Sequence, residues 1–175
     1  MTDHERELAG IRKGALFPYT KNEKIYHCPG DRTWKEVKGS LNASQSPYRS
    51  FAASWAMNGQ WGGIDSKYKY KSTVKIVNPS MRLVFIEEEE AGGANWGSWI
   101  LEPNPASFKW WDPIAIWHTG RSTNLGFADG HSEAHFWKDK STIDMGETQK
   151  LGQAPYAGEH EDLEFIRQAY HHDFK

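Results

Sequence analysis

The sequence has little cysteine, no excess of charge of one sign and no long apolar run. A single cysteine, Cys28, among 175 residues excludes an internal disulfide. Lys and Arg number 21 against 23 Asp and Glu, so no basic field of the kind that attracts nucleic acid is present. Without a run of about 20 apolar residues or a signal peptide, the chain as given is expected to have no membrane partner. Its length is typical of one domain, residues 1–175.

Aromatic residues are unusually frequent for so polar a chain. Nine Trp, seven Tyr and eight Phe accompany a mean hydropathy of −0.77. Amphipathic rings are enriched where proteins meet partners, which predicts that part of them lie outside the core. Residues 87–113 form a long, irregular, Trp-rich insertion, and loops longer than about 15 residues are usually functional or disordered. We interpret the Glu87–Glu90 run at its start as a strand end that enters solvent.

The order of apolar and turn-forming residues predicts an α+β fold. Residues 3–14 are expected to form a short helix, and residues 159–172 an amphipathic C-terminal helix. Residues 139–158, which lie between the last predicted strand and the C-terminal helix, are interpreted as a loop. The predicted strands are 48–58, 71–77, 81–87, 122–128 and 131–137.

A hairpin at residues 117–137 is the most informative element. Asp129-Gly130 is typical of a two-residue turn, which pairs Gly126 with Glu133 and Asn124 with His135. This register places one set of residues on the core: Thr123, Leu125, Phe127, Ala134 and Phe136. The open face then carries Ser122, Asn124, Gly126, His131, Glu133, His135 and Trp137. A glycine within a polar face leaves room for a ligand to approach the backbone.

Several short motifs together resemble one protein family. His118 is followed, after ten residues, by Asp129-Gly130-His131, and the chain also contains L-F-P-Y, Y-H-C-P-G-D, and I-V-N-P-S before a strand that ends at Glu87. These residues resemble the globular domain of type II secretion pseudopilin-like proteins that carry a His-x9-Asp-Gly motif. The spacing here is one residue longer than in that motif, and we place the extra residue in the Thr119–Thr123 turn. The similarity spans roughly residues 5–140.

The resemblance implies a pilin-like fold, in which an N-terminal helix packs on an antiparallel sheet with long Trp-rich loops. Family members begin with a hydrophobic helix, so residues 3–14 would be the stump of that helix. The resemblance also implies an extracellular, cell-surface or periplasmic location in a bacterium. A structural role in a type II secretion or type IV pilus-like filament is one functional expectation, but a fold supports many functions.

The residue types around the hairpin fit a second function, cleavage of an acidic polysaccharide by β-elimination. That reaction needs the uronate carboxylate neutralised, a base to remove the C5 proton and an acid to protonate the leaving oxygen. Arg121 and Asn124 could hold the carboxylate, and a histidine titrates near working pH and could be the base. The candidate catalytic residues are His118, His131, Arg121, Asn124 and Tyr48. The candidate substrate-binding residues are His135, Trp137, Arg49, Trp96, Trp99, Trp110 and Trp111.

Three alternatives to the lyase stay open. In the structural alternative, His118 and Asp129 brace the hairpin. Zinc could bind at His118, Asp129 and His131, and calcium at clusters of Asp or Glu, although the lyase reaction itself needs no cofactor. A carbohydrate-binding module would bind the same polymers without cleaving them. We prefer the lyase hypothesis because a structural hairpin does not require His, Asn, Arg and Trp on one open face.

Overall fold

The structure is a computed structural model that describes residues 3–31, 48–59, 65–89, 97–102, 104 and 106–173. Four helices are present in this part of the chain: α1 Asp3–Lys13, α2 Phe17–Thr20, α3 Lys140–Thr148 and α4 Glu161–Tyr170. Five strands accompany them: β1 Phe51–Ser54, β2 Leu83–Glu87, β3 Ser98–Trp99, β4 Ser122–Phe127 and β5 Ser132–Phe136. None of the helices in these ranges has the length and apolar character needed to cross a membrane.

The five strands form one mixed sheet in the order β3-β1-β2-β4-β5. All neighbours pair antiparallel except β3, which lies parallel to β1. The predicted combination of helices with a largely antiparallel sheet is therefore correct at the level of fold class. The parallel strand β3 lies within residues 87–113, so this segment is not irregular throughout, contrary to the prediction from the sequence.

One face of the sheet supports a core rich in aromatic side chains. Trp99, Trp110 and Tyr170 are all 0 % exposed and Trp137 is 1 % exposed. Their rings meet edge to face, with centroids 5.7 Å apart for Trp110 and Trp137 and 5.9 Å apart for Trp99 and Tyr170. Edge-to-face contacts are the geometry that aromatic quadrupoles favour. Much of the tryptophan surplus is thus used to fill the core beneath the sheet.

The hairpin forms, but its register differs by one residue from the prediction. The turn contains three residues, 128–130, closed by the Phe127 N–H donating to the His131 carbonyl at 2.9 Å. Gly126 therefore pairs with Ser132 and Asn124 with Ala134. A one-residue shift moves every side chain of the second strand to the other face. As a result His135 faces the core side, whereas Phe136, predicted to be buried, is 51 % exposed.

Two other predicted strands are wrong in type or length. Residues 71–77 contain a 3-10 turn, Thr73–Lys75, and Val74 is 90 % exposed. This segment offers too few apolar side chains to one face, and Asn78, with a φ of 51°, turns the chain just beyond it. The predicted strand 48–58 is reduced to β1, because the chain enters a turn at Trp55.

Helix α3 lies in residues predicted to be a loop. Its sequence, K-S-T-I-D-M-G-E-T, includes weak helix formers, so propensity does not indicate it. Packing holds it instead: Met145 is 0 % exposed, and a Cβ atom at Gly146 would lie 2.8 Å from Ile116. The glycine allows the helix to approach Ile116 closely, which compensates for its poor helix propensity.

Helix α4 ends against a buried histidine. The predicted helix 159–172 is observed as Glu161–Tyr170, and His171, which follows it, is 2 % exposed. The ring of His171 packs on Tyr70 at 4.4 Å and against Tyr68 at 5.8 Å between centroids. Burial, together with the charge of the adjacent His172, lowers the pKa of His171 to about 4.

We expect the free energy of unfolding to decrease as the pH is lowered, because of His171. Its pKa is about 4 in the folded chain against an ordinary value of 6.5, so between these values the unfolded chain takes up a proton that the folded chain does not. The free energy of unfolding should therefore decrease by on the order of 3 kcal/mol as pH falls through this window. Urea denaturation at several pH values measures it. His171→Phe should remove this component and His160→Ala, at an exposed site, should retain it; identical pH profiles for all three proteins would contradict the assignment.

Candidate functional site

Four side chains from three separate parts of the chain converge beside the end of β2. His118 Nε2 lies 3.0 Å from Glu87 Oε1 and 3.5 Å from Cys28 Sγ. The Asn124 amide group lies 3.1 Å from Glu87 Oε1 and 3.0 Å from His118 Nε2. Glu87 is 0 % exposed and Cys28 is 5 % exposed, whereas the His118 side chain is 33 % exposed. We call these four residues the His118 cluster.

The pairing of β2 with β4 sets the geometry of the His118 cluster. Ile86 pairs with Leu125, which brings Glu87 beside Asn124, and the Asn124 backbone N–H donates to Glu87 Oε2 at 2.7 Å. His118 is fixed by the turn before β4, where its carbonyl accepts the Ser122 N–H at 3.0 Å. The buried carboxylate is thus satisfied by several donors, as buried charged groups require.

The segment that carries Cys28 is held by a separate polar network. The Ser50 hydroxyl donates to Asp31 Oδ2 at 2.6 Å and accepts the Cys28 backbone N–H at 2.9 Å. Ser50 also uses its backbone, with the Ser50 N–H donating to the Tyr26 carbonyl at 2.9 Å. Ser50 and Asp31 are both buried. These bonds fix the position of the Cys28 sulfur relative to the sheet.

Burial raises the pKa of Cys28, a member of the His118 cluster, and of Glu89, two residues beyond Glu87. Burial raises the pKa of the Cys28 thiol, so the thiol form is favoured. Burial also raises the pKa of Glu89 to about 6, opposed by the hydrogen bond that Trp117 Nε1 donates to its carboxylate at 2.6 Å. The start of the Glu87–Glu90 run is therefore buried at Glu87 and Glu88 rather than solvated as predicted, whereas Glu90 lies outside the described residues.

The structure brings together only part of the predicted catalytic set. His118 and Asn124 meet, and Arg121 lies exposed in the turn between them. His131 is exposed at the far end of β4, about 20 Å along the strand, where its Nδ1 pairs with Asp129 at 2.6 Å. The predicted metal set of His118, Asp129 and His131 therefore does not assemble.

The remaining predicted site residues are distributed over different surfaces. His135 stacks on Phe165 at 4.0 Å between centroids, on the face opposite Asn124. Tyr48 stacks on His27 at 5.1 Å. Trp99, Trp110 and Trp137 are buried, so they cannot stack on a sugar. Trp111 is 37 % exposed and lies beside Lys109, while Trp96 is outside the described residues.

An apolar groove lies on the open face of the sheet. Its volume is about 790 Å³. The floor is formed by β1, β2 and β4 through Phe51, Ala53, Phe85 and Gly126, and α1, α2 and the chain up to Tyr26 form the wall. Arg49 is the one charged residue among the described residues that line it. Gly126 lines this groove, in agreement with the expectation that a glycine here leaves room on the open face.

Sequence reasoning did not assign a role to the two buried members of the His118 cluster. From the sequence, Cys28 is only a single thiol, and Glu87 is only the end of a predicted strand. The signal was present in the motifs, because Y-H-C-P-G-D contains Cys28 and the strand after I-V-N-P-S ends at Glu87. What the sequence did not provide was the proximity of these motifs to His118.

Comparison of the chain with family models, with curated proteins and with solved structures finds no match. The resemblance to pseudopilin-like proteins therefore stays a prediction. Function must be argued from the His118 cluster and from the groove.

Proposed function

We propose that this protein is a non-enzymatic, pilin-like subunit whose groove binds an apolar helix of a neighbouring subunit. The observation that carries this proposal is the apolar groove beside the N-terminal helix. Leu16, Tyr19 and Ile25 line it while remaining 50 %, 88 % and 51 % exposed. Contiguous exposed apolar residues of this size are typical of a protein interaction surface.

The volume and the floor of the groove can accommodate a helix. Ala53 and Gly126 on its floor carry little or no side chain, which lets another backbone approach the sheet. Two turns of an α-helix about 10 Å in diameter occupy roughly 850 Å³ by helix geometry, close to the groove volume of about 790 Å³. Recognition of an amphipathic helix by an apolar groove is a recurrent mode of binding. The pseudopilin resemblance supplies the source of the helix, since subunits of that family begin with a hydrophobic one.

The chemistry of the groove disfavours an acidic polysaccharide. A polyuronate carries a carboxylate on each uronate sugar, and burying charge without a partner is costly. Arg49 alone among the described lining residues could neutralise one. Burial of Trp99, Trp110 and Trp137 removes three of the five tryptophans that the lyase hypothesis assigns to sugar stacking.

A lyase stays a second candidate because of one observation. His118 and Asn124 lie together as the reaction requires, and Glu87 beside His118 Nε2 would orient the imidazole with Nδ1 as the base. In this alternative Arg121, in the adjacent turn, would neutralise the uronate.

The helix proposal predicts that filling the groove abolishes binding of an apolar helix. The probe is a fluorescein-labelled peptide of about 20 residues with leucines on one helical face. Gly126→Leu should weaken its binding at least about tenfold, because the new side chain projects into the groove. The fold should tolerate it, since a Cβ at Gly126 meets Phe85 at an ordinary 3.5 Å. Fluorescence anisotropy measures the affinity.

Ala134→Leu is the matched control. Ala134 is exposed on the same face of the sheet but does not line the groove, so this variant should bind as the unaltered protein does. Equal peptide affinity for both variants, or binding of a labelled fatty acid in place of the helix, would overturn the proposal. So would an absorbance increase from unsaturated products with alginate, pectin or glycosaminoglycans that disappears in His118→Ala, a result that would establish the lyase.

A further inference from the structure

Three donor atoms of the His118 cluster converge on one point. Cys28 Sγ, a Glu87 carboxylate oxygen and a His118 ring nitrogen all lie within 4.8 Å of one another. His118 Nε2 lies 3.0 Å from Glu87 Oε1 and 3.5 Å from Cys28 Sγ. Donors bound to one ion at about 2.0–2.3 Å in a tetrahedron are spaced by roughly 3.3–3.8 Å. The atoms therefore already stand near the spacing that a shared ion imposes.

We propose that Cys28, Glu87 and His118 form a binding site for Zn²⁺. Sulfur, imidazole nitrogen and carboxylate oxygen are the three ligand types that zinc accepts, whereas the sulfur ligand disfavours Mg²⁺ and Ca²⁺. The site differs from the set His118, Asp129 and His131 suggested by the sequence, and it shares only His118 with it. A fourth position is available to water or to the Asn124 amide oxygen after rotation of the amide.

A backbone donor and a closely packed loop position the Cys28 sulfur for a metal ion. The Gly30 backbone N–H donates to Cys28 Sγ at 3.3 Å, which stabilises negative charge on sulfur. A Cβ atom at Gly30 would lie 3.2 Å from His118 Cε1, so glycine lets this loop approach the imidazole closely. Ser50 holds the Cys28 backbone from the other side. Outer bonds of this kind orient ligands before the metal arrives.

Binding releases one proton to solvent and requires a second proton to move between the ring nitrogens of His118. The Cys28 thiol loses its proton to solvent as its sulfur bonds to zinc, and Glu87 binds as the carboxylate. The metal would bind the His118 tautomer that carries its proton on Nδ1, in place of the tautomer that donates from Nε2 to Glu87 Oε1, and would use the Nε2 lone pair. One ion would then join the loop after residue 26, the end of β2 and the turn before β4. These segments are distant in sequence, so the cross-link should raise stability.

Direct spectroscopy on the unaltered protein tests the site. The metal-free protein is titrated with Co²⁺, a coloured substitute for zinc, and then with Zn²⁺ against a chromophoric chelator. One equivalent of Co²⁺ should produce a thiolate-to-cobalt charge-transfer band and the strong visible bands of tetrahedral geometry, and Zn²⁺ should displace it. Since the chain contains one cysteine, a charge-transfer band assigns the ligand to Cys28. Zn²⁺ should also raise Tm by about 5 °C or more.

Two variants locate the ion. Cys28→Ser should lose the charge-transfer band and bind Zn²⁺ at least about 100-fold more weakly, while its circular dichroism stays that of the metal-free protein. His172→Gln removes a member of the other group of close donor atoms among the described residues, His171, His172 and Asp173, and should bind as the unaltered protein does. Cobalt binding without a charge-transfer band, or unchanged Zn²⁺ affinity in Cys28→Ser, would overturn the proposal. Loss of binding in His172→Gln alone would place the ion at the C-terminal group and would also overturn it.

Discussion

Trp137→Ala is expected to lower the free energy of unfolding by about 3–5 kcal/mol, the range for removal of a large aromatic side chain from a core. Trp137 is 1 % exposed and its ring meets that of Trp110 edge to face. Its Nε1 donates to Thr123 Oγ1 at 2.7 Å, and that hydroxyl donates to the Ala115 carbonyl at 2.5 Å. The substitution therefore creates a cavity and also breaks a buried hydrogen-bond chain. Urea denaturation followed by circular dichroism measures the loss.

Trp111→Ala is the matched control, because Trp111 is 37 % exposed at the edge of the same aromatic region. Its removal should cost less than about 1 kcal/mol. A Trp137→Ala variant as stable as Trp111→Ala would show that the tryptophans lie outside the core. That result would restore the interpretation of Trp137 as a sugar-stacking residue.

Glu87→Ala should be almost as damaging, with a loss of about 3–5 kcal/mol. The carboxylate is 0 % exposed and accepts the Asn124 backbone N–H at 2.7 Å and the Asn124 side-chain amide at 3.1 Å. Without it these buried donors have lost their acceptor, which costs more than the bond itself contributes. The measurement is made in the presence of a chelator, so that loss of a bound ion does not add to the effect.

Glu133→Ala is the control for Glu87→Ala, because it removes the same charge from an exposed site. Glu133 is an exposed glutamate on β5 that lies 3.4 Å from His135. Surface ion pairs contribute about 0–1 kcal/mol, so this variant should unfold nearly as the unaltered protein does. If Glu87→Ala were equally mild, the Glu87 carboxylate would be solvated and the His118 cluster would lack its buried acid.

Local patterns in the sequence predicted the types of several elements. The helices at both ends, the strand before Glu87 and the hairpin all follow from periodicity and turn residues, which act over short stretches of chain. The hairpin register did not follow, because Asp-Gly also fits a three-residue turn in which Gly130, with a φ of 94°, closes the loop. The one additional turn residue places His135 and Phe136 on the faces of the sheet opposite to those predicted.

Features that are set by contacts between residues distant in sequence could not be predicted from local patterns. Composition indicates many aromatic rings but not which ones pack together, so buried Trp110 and exposed Trp111 looked alike. Helix α3 is stabilised by the contact of Gly146 with Ile116 rather than by its own residues. His118 and Asn124 are both candidate residues from the sequence, whereas Cys28 and Glu87 join them through strand pairing and loop contacts that no local pattern indicates.

Amide chemical shifts recorded while the apolar helical peptide is added test the groove assignment most directly. The account predicts saturable shifts at Ala53, Phe85 and Gly126 on the sheet and at Leu16 and Tyr19 on the wall, with little change at His131 or around Trp111. No saturable shift at the groove, together with large shifts around His118 and Arg121 on addition of a uronate oligosaccharide, would contradict it.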